Sequence, residues 1–202
     1  MLKDVCLKDR FLSEDIYNHL ASECKSSKIV WQDSSTFWDS YLFKEKEAEV
    51  ENTVLVSKES YNYNDSKTSD FLSLFQDKTL EMLGIVAKDI EYFWSRFYKY
   101  PANSAILWHP DTKHDWGITY YLNENWHYHW GGELMLDGGY WFAPFGNRVI
   151  AIKSPLVHKT CTTSKQAKDR LSIQSFIKLK NHSRFGGKST LPTVGGGQIG
   201  GY

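Results

Sequence analysis

The sequence predicts an all-β core with flanking helices, arranged as a double-stranded β-helix (jelly roll) with N-terminal helices packed on one sheet. Two observations predict this class. Apolar residues near the N-terminus recur at helical spacing, whereas from residue 90 onward they alternate or form short runs. Turn sequences such as "PANS", "NENW" and "FGN" separate those runs, as expected between short antiparallel strands.

The N-terminal part is predicted to contain two helices, one strand and one irregular segment. Ser13 is a suitable N-cap for the first helix, and a strand is expected at "KIVWQ". The second helix is predicted from Asp70 to Leu83, with Gly84 in the C-cap position. Residues 34–68 mix short apolar pieces with charged ones, so most of this segment is expected to be irregular and a candidate lid.

The remaining residues divide into a β-rich core and a tail. We expect one domain over residues 1–180, with 1–89 as helical support and possible lid, and 90–180 as the jelly-roll core. Residues 181–202, rich in Gly, Ser and Thr, are predicted to be a flexible tail. The predicted strands of the core cover residues 90–100, 105–109, 116–122, 132–137, 139–143, 147–153, 156–160 and 170–178.

The composition excludes several classes of function. The 202 residues carry 24 basic and 24 acidic side chains, so no broad electrostatic field favours nucleic acid or an anionic membrane. No apolar run is long enough to span a bilayer, and the first residues lack the apolar stretch of a signal peptide. We therefore expect a cytoplasmic protein. Three widely spaced cysteines argue against a disulfide framework and against a zinc site of the CxxC type. The oligomeric state is not indicated.

The stretch "WHPD" places His109 and Asp111 on either side of one proline. Alone, it is equally an ordinary X-Pro turn at a strand end. A third ligand is available in His158, which follows the run "VIAIKSPLV" and can return to the same end of a barrel. Two imidazoles and one carboxylate form the facial triad of non-haem Fe(II) oxygenases, so these residues are candidate metal ligands.

Arg170 opens the last predicted strand, "RLSIQSFI", where alternation puts Arg170, Ser172 and Gln174 on one face. An arginine that faces the interior of a barrel is costly unless it meets an anion, and its guanidinium suits a carboxylate. A surface arginine on an edge strand is the alternative.

The order of these motifs resembles the Fe(II)- and 2-oxoglutarate-dependent dioxygenases, in particular their prolyl 4-hydroxylase-like branch. The resemblance rests on "YPANSAILWHPD", "TYYLNENW", "WGGEL" and "APFGNRVIAI", followed by His158 and Arg170, and it covers roughly residues 90–178. It implies Fe(II), 2-oxoglutarate as cosubstrate and O2.

The resemblance also implies roles for individual residues. His109, Asp111 and His158 would bind iron and be the catalytic centre, and Arg170 would hold the far carboxylate of 2-oxoglutarate. Two tyrosines, Tyr100 of the "YP" turn and the second tyrosine of "YYLN", Tyr121, would line the cosubstrate pocket. The spacing from His158 to Arg170 is longer than usual in the family, which keeps Lys165 and Lys168 open as alternatives to the arginine.

Other reactive side chains carry weaker signals. His127 and His129 share one side of "WHYHW" but have no third ligand nearby in sequence. We expect His114 to be a loop residue near the mouth of the site and Cys161 to be a small buried hydrophobe.

The expected function is hydroxylation of an unactivated carbon with release of succinate and CO2, acting on a prolyl residue in a peptide or protein. Three alternatives remain: a free amino acid or small metabolite as substrate, a cupin-like enzyme that does not use 2-oxoglutarate, and a non-catalytic jelly-roll module that only binds its ligand.

Overall fold

A computed structural model describes residues 4–36 and 51–180 of the chain. Two α-helices precede the β-rich part, α1 (Glu14–Cys24) and α2 (Asp70–Leu83). Neither is long and apolar enough to cross a membrane. The strands of the described residues are β1 (Val5–Lys8), β2 (Trp31–Asp33), β3 (Leu55–Ser57), β4 (Tyr61–Asn62), β5 (Ile90–Tyr100), β6 (Ile106–His109), β7 (Trp116–Tyr121), β8 (Leu134–Leu136), β9 (Trp141–Phe142), β10 (Val149–Lys153), β11 (His158–Thr160) and β12 (Arg170–Leu179).

The strands form two antiparallel sheets. The larger sheet has eight strands in the order β1–β10–β7–β12–β5–β3–β2, with β4 also paired to β5, and the smaller sheet has the order β6–β11–β8–β9. Apolar residues of β7 and β10 pack against Leu134 and Leu136 of the smaller sheet, so the two sheets face each other. This arrangement confirms the predicted jelly roll.

Both helices pack on the outer face of the larger sheet. Tyr17 and Leu20 of α1 and Phe75 of α2 are buried in one cluster with apolar residues of β5, β7, β10 and β12. α2 ends at Gly84, which adopts a left-handed conformation (φ 65°) as its C-cap. The helices thus cover the outer face, and the inner face remains available for the site.

The predicted secondary structure is largely confirmed in the described residues. All eight strands predicted from residue 90 onward occur, with ends that differ by a few residues, and both helices are present. The described part of residues 34–68 is mostly irregular, as predicted, apart from the short strands β3 and β4, which pair with β5. Residues 37–50, which include much of the candidate lid, and the predicted tail 181–202 lie outside the described residues.

The missed strands are short and depend on distant partners. β3 has three residues and β4 has two, and each is completed by pairing with residues of β5 that lie much later in the chain. β1 was also not predicted, and its partner β10 lies far away in the sequence. Strand formation at such sites is decided by tertiary pairing more than by local preference.

Candidate active site

The three candidate metal ligands lie together at the edge of the smaller sheet. His109 ends β6 and stands opposite His158, the first residue of β11, in the antiparallel register. The chain leaves the sheet at Pro110, and the Asp111 carboxylate lies close to both imidazoles. Its oxygens lie 3.8 Å from His109 Nε2 and 3.5 Å from His158 Nε2. One donor atom from each residue lies within 4.8 Å of the others, so these side chains can hold one ion.

Backbone carbonyls orient both imidazoles. His109 Nδ1 lies 2.6 Å from the carbonyl oxygen of Leu107, and His158 Nδ1 lies 3.0 Å from that of Leu156. A carbonyl oxygen only accepts, so each Nδ1 carries a proton, and Nε2 is the ring atom that can bind a metal. Burial, with the neighbouring His158 imidazole, lowers the pKa of His109 and favours its neutral form.

Gly117 of β7 gives the Asp111 carboxylate its space. A Cβ atom at this position would lie 2.6 Å from Asp111 Oδ2, which is closer than any van der Waals contact allows. Its role was not predicted, although a glycine inside a strand is a known sign of close approach by another group. Gly117 therefore contributes to the site because the absence of a side chain leaves room for the carboxylate.

Arg170 lies fully buried on the inner face of the larger sheet, with 0% of its surface exposed. Its guanidinium carbon is 4.1 Å from the centroid of the Tyr100 ring and 4.9 Å from that of Tyr121. Within residues 4–36 and 51–180, none of its three nitrogens has a hydrogen-bond partner. The same holds for the Tyr121 hydroxyl and the Ser172 hydroxyl.

These unpartnered hydrogen-bond donors are the kind of groups that form an anion-binding site. A buried guanidinium without a counter-ion is costly, and a carboxylate would satisfy two of its nitrogens at once. Burial raises the pKa of Tyr121, and the Arg170 charge opposes this rise only in part. The phenol therefore keeps its proton and can donate it to the same anion. The Ser172 hydroxyl is a third donor at this position. The strand alternation predicts that Ser172 shares a face with Arg170, but it assigns Ser172 no role.

The two alternatives to Arg170 are wrong. Lys165 pairs with Glu51 at the surface, at 3.0 Å, and Lys168 is exposed. The polar insert between β11 and β12 thus keeps its lysines at the surface, and the chain returns to the interior at the arginine. Gly132 makes room for it, because a Cβ atom there would lie 3.0 Å from Arg170 Cδ.

Residues 95–178 match the family model described as the 2OG-Fe(II) oxygenase superfamily. This range runs from β5 to β12 and contains the triad and Arg170. By this match, the β-rich part of the chain is similar to the 2OG-Fe(II) oxygenases. No curated protein matches the chain by sequence comparison.

Solved structures of similar fold include three prolyl hydroxylases. A Pseudomonas putida prolyl-4-hydroxylase has a TM-score of 0.64 at 17% identity, covering 87% of this chain and 92% of its own. A Trichoplax adhaerens prolyl hydroxylase, in complex with a hypoxia inducible factor peptide, has a TM-score of 0.62 at 13% identity, with 88% and 84% covered. The collagen prolyl hydroxylase of Paramecium bursaria Chlorella virus-1 has a TM-score of 0.59 at 12% identity, with 87% and 96% covered. At such identities, the similarity shows the fold.

The family match, together with the His-Asp-His triad, indicates an oxygenase that uses Fe(II), 2-oxoglutarate and O2. Two observations show that the residues of the site suit the metal and the cosubstrate. Two imidazoles and one carboxylate are a suitable donor set for ferrous iron, and they leave coordination positions for other ligands. The buried, unpartnered donors around Arg170 suit the carboxylate of a dicarboxylic acid.

An aromatic cluster lies beside the triad of the oxygenase. Phe176 stands opposite Gly117 in the register of β12 and β7, and opposite Trp94 in that of β12 and β5. Its ring centroid is 4.7 Å from that of Trp94 and 4.4 Å from that of His114. The prediction for His114 holds: it lies in the loop after Asp111, where Tyr92 bonds to its Nδ1 at 2.9 Å. We name Trp94, His114 and Phe176 the mouth cluster.

Other reactive residues of the oxygenase lie apart from the triad. His127 and His129 are exposed next to the 3₁₀ turn Tyr128–Trp130, and the described residues contain one group that can hold a metal, the triad. Cys161 is only half-buried, so its prediction as a buried hydrophobe is only partly right. Burial and the nearby Glu133 charge raise its thiol pKa, which makes it a poor nucleophile.

Proposed function

We propose that this oxygenase hydroxylates an unactivated carbon of a prolyl residue in a peptide or protein, with release of succinate and CO2. The observation that carries the proposal is the placement of a metal triad, a buried anion site and an aromatic cluster along one pair of facing sheets. His109, Asp111 and His158 would hold Fe(II), which with 2-oxoglutarate and O2 supplies the oxidation of an unreactive C–H bond.

The residues of the chain position the metal and the cosubstrate and keep water away from them. The carbonyls of Leu107 and Leu156 keep both Nε2 atoms directed to the metal. Arg170 would bind the far carboxylate of 2-oxoglutarate through parallel hydrogen bonds, and Tyr121 would donate a further one. Because this anion site is buried, it also excludes water from the side of the cosubstrate.

The mouth cluster supports a prolyl substrate. Aromatic faces beside the triad offer an apolar contact for a pyrrolidine ring, and aromatic-lined grooves bind extended proline-containing chains in other proteins. The solved structures of similar fold point in the same direction, since one holds a hypoxia inducible factor peptide and another is a collagen prolyl hydroxylase. A free amino acid is the competing substrate, and it needs no extended groove.

The test is turnover of candidate peptides with Fe(II), 2-oxoglutarate and O2, analysed by mass spectrometry. A prolyl substrate gains one oxygen on the proline ring, in proportion to succinate formed, and His109→Ala abolishes both. Oxidation of free amino acids but of no peptide would replace the prolyl proposal by the small-molecule one. Absence of succinate with every substrate, in a protein shown to bind Fe(II), would overturn the proposed reaction.

A further inference from the structure

Gln174 lies on the inner face of β12 between the two halves of the site. In the register, it stands opposite Thr119 of β7 and Arg96 of β5. The preceding inward layer holds Ser172 and Tyr121, next to the anion site, and the following layer holds Phe176 and Gly117, next to the triad. A cosubstrate that reaches from Arg170 to the metal has to pass this level of the sheet.

The Gln174 side chain takes part in two hydrogen bonds with defined directions. The Thr119 hydroxyl donates to Gln174 Oε1 at 3.1 Å, because an amide oxygen only accepts. The amide nitrogen then donates to the Tyr100 hydroxyl oxygen at 3.3 Å. The Tyr100 oxygen thus serves as an acceptor, so its own proton is available to an anion in the pocket.

Tyr100 is held from a second side as well. The Arg170 guanidinium carbon lies 4.1 Å from its ring centroid, and the residue is completely buried. The ring therefore has its plane fixed by the arginine and its hydroxyl oxygen fixed by Gln174. Together these contacts leave only the direction of the hydroxyl proton to be set by a bound anion.

We infer that Gln174 is a positioning residue that orients the Tyr100 hydroxyl as a hydrogen-bond donor to 2-oxoglutarate. This inference rests on the proposed function, since it assigns a role toward the same cosubstrate. Gln174 acts through Tyr100, so removing either side chain removes one and the same hydrogen bond to the bound anion.

The experiment is a double-mutant cycle on cosubstrate binding. Calorimetry measures the affinity of 2-oxoglutarate for the Mn(II)-loaded protein and for the Gln174→Met, Tyr100→Phe and doubly substituted variants. We expect each single variant to bind about tenfold more weakly, the typical effect of losing one hydrogen bond to a charged group. The double variant should be no weaker than Tyr100→Phe alone. In turnover, the KM for 2-oxoglutarate should rise more than kcat falls.

Gln76→Met is the matched control, because Gln76 is a buried glutamine that also makes two hydrogen bonds, but to Ser95 and Tyr61 between α2 and the larger sheet. It should lower stability and leave 2-oxoglutarate affinity unchanged. Unchanged affinity in Gln174→Met or Tyr100→Phe overturns the inference, as does full additivity in the double variant. If the unmutated Mn(II)-loaded protein binds no 2-oxoglutarate, the proposed function fails together with the inference.

Discussion

At the scale of the residue, Gly117 limits the metal site although it supplies no ligand. A side chain at this position would overlap Asp111 Oδ2, which lies 2.6 Å from the Cβ position. Gly117→Ala should therefore displace the carboxylate and weaken Mn(II) binding about 10- to 100-fold, as substitutions next to metal ligands do. Calorimetric titration with Mn(II) measures the effect.

Gly84→Ala is the control for Gly117→Ala. Gly84 adopts a left-handed conformation with open space around it, so an alanine there should cost stability and leave Mn(II) affinity unchanged. Equal Mn(II) affinity in Gly117→Ala and the unmutated protein would show that the carboxylate is held elsewhere.

Arg170 is expected to serve binding more than stability. Its buried guanidinium has no hydrogen-bond partner in the described part of the chain, so the free protein bears the cost of an uncompensated charge. Arg170→Met should leave the free energy of unfolding within about 1 kcal/mol of the unmutated protein, whereas loss of a paired buried arginine costs about 3–5 kcal/mol. Urea unfolding without cosubstrate distinguishes the two.

The same variant should lose most of its affinity for 2-oxoglutarate. Removing one partner of a buried charge pair costs at least about 2 kcal/mol, or roughly 30-fold in affinity. Calorimetry on the Mn(II)-loaded variant measures this loss. A variant that is strongly destabilised but still binds 2-oxoglutarate normally would assign Arg170 a structural role instead.

At the scale of the element, β12 illustrates which features of the site a sequence can predict. Its alternating pattern predicts that Arg170 and Gln174 share one face, because the period of a strand fixes the direction of each side chain. The hydrogen bond from Gln174 to Tyr100 could not be predicted, since it depends on the register between β12 and β5. β3 was missed for a similar reason, because its pairing with β5 decides whether it forms a strand.

The helices allow a matched test of capping. Both begin after a serine, but only Ser69 accepts a hydrogen bond from a backbone N–H of its helix, that of Leu72. Ser69 also donates to Glu23 of α1. Ser69→Ala should lower the free energy of unfolding by about 1 kcal/mol, and Ser13→Ala by clearly less. Urea unfolding of both variants checks this order, and equal losses would contradict it.

At the scale of the whole molecule, the site exists only where the two sheets meet. The triad comes from the smaller sheet and its following loop, while Arg170, Tyr121 and Gly117 come from the larger one. The types of ligand could be predicted, because two imidazoles and a carboxylate suit one class of metal. Their convergence could not be derived from the residues alone, since His158 reaches His109 only through the antiparallel pairing of β11 with β6.

Metal and cosubstrate should therefore stabilise the fold jointly. A ligand at 100 times its dissociation constant adds about 2.7 kcal/mol to the free energy of unfolding, which is about 5–10 °C in Tm for a domain of this size. We expect Mn(II) with 2-oxoglutarate to raise Tm by more than the sum of the separate shifts, since the keto acid would also bind the metal. Scanning calorimetry with EDTA, Mn(II), 2-oxoglutarate or both measures this. His109→Ala should abolish the joint increment, and a normal increment in that variant would place the cosubstrate away from the triad.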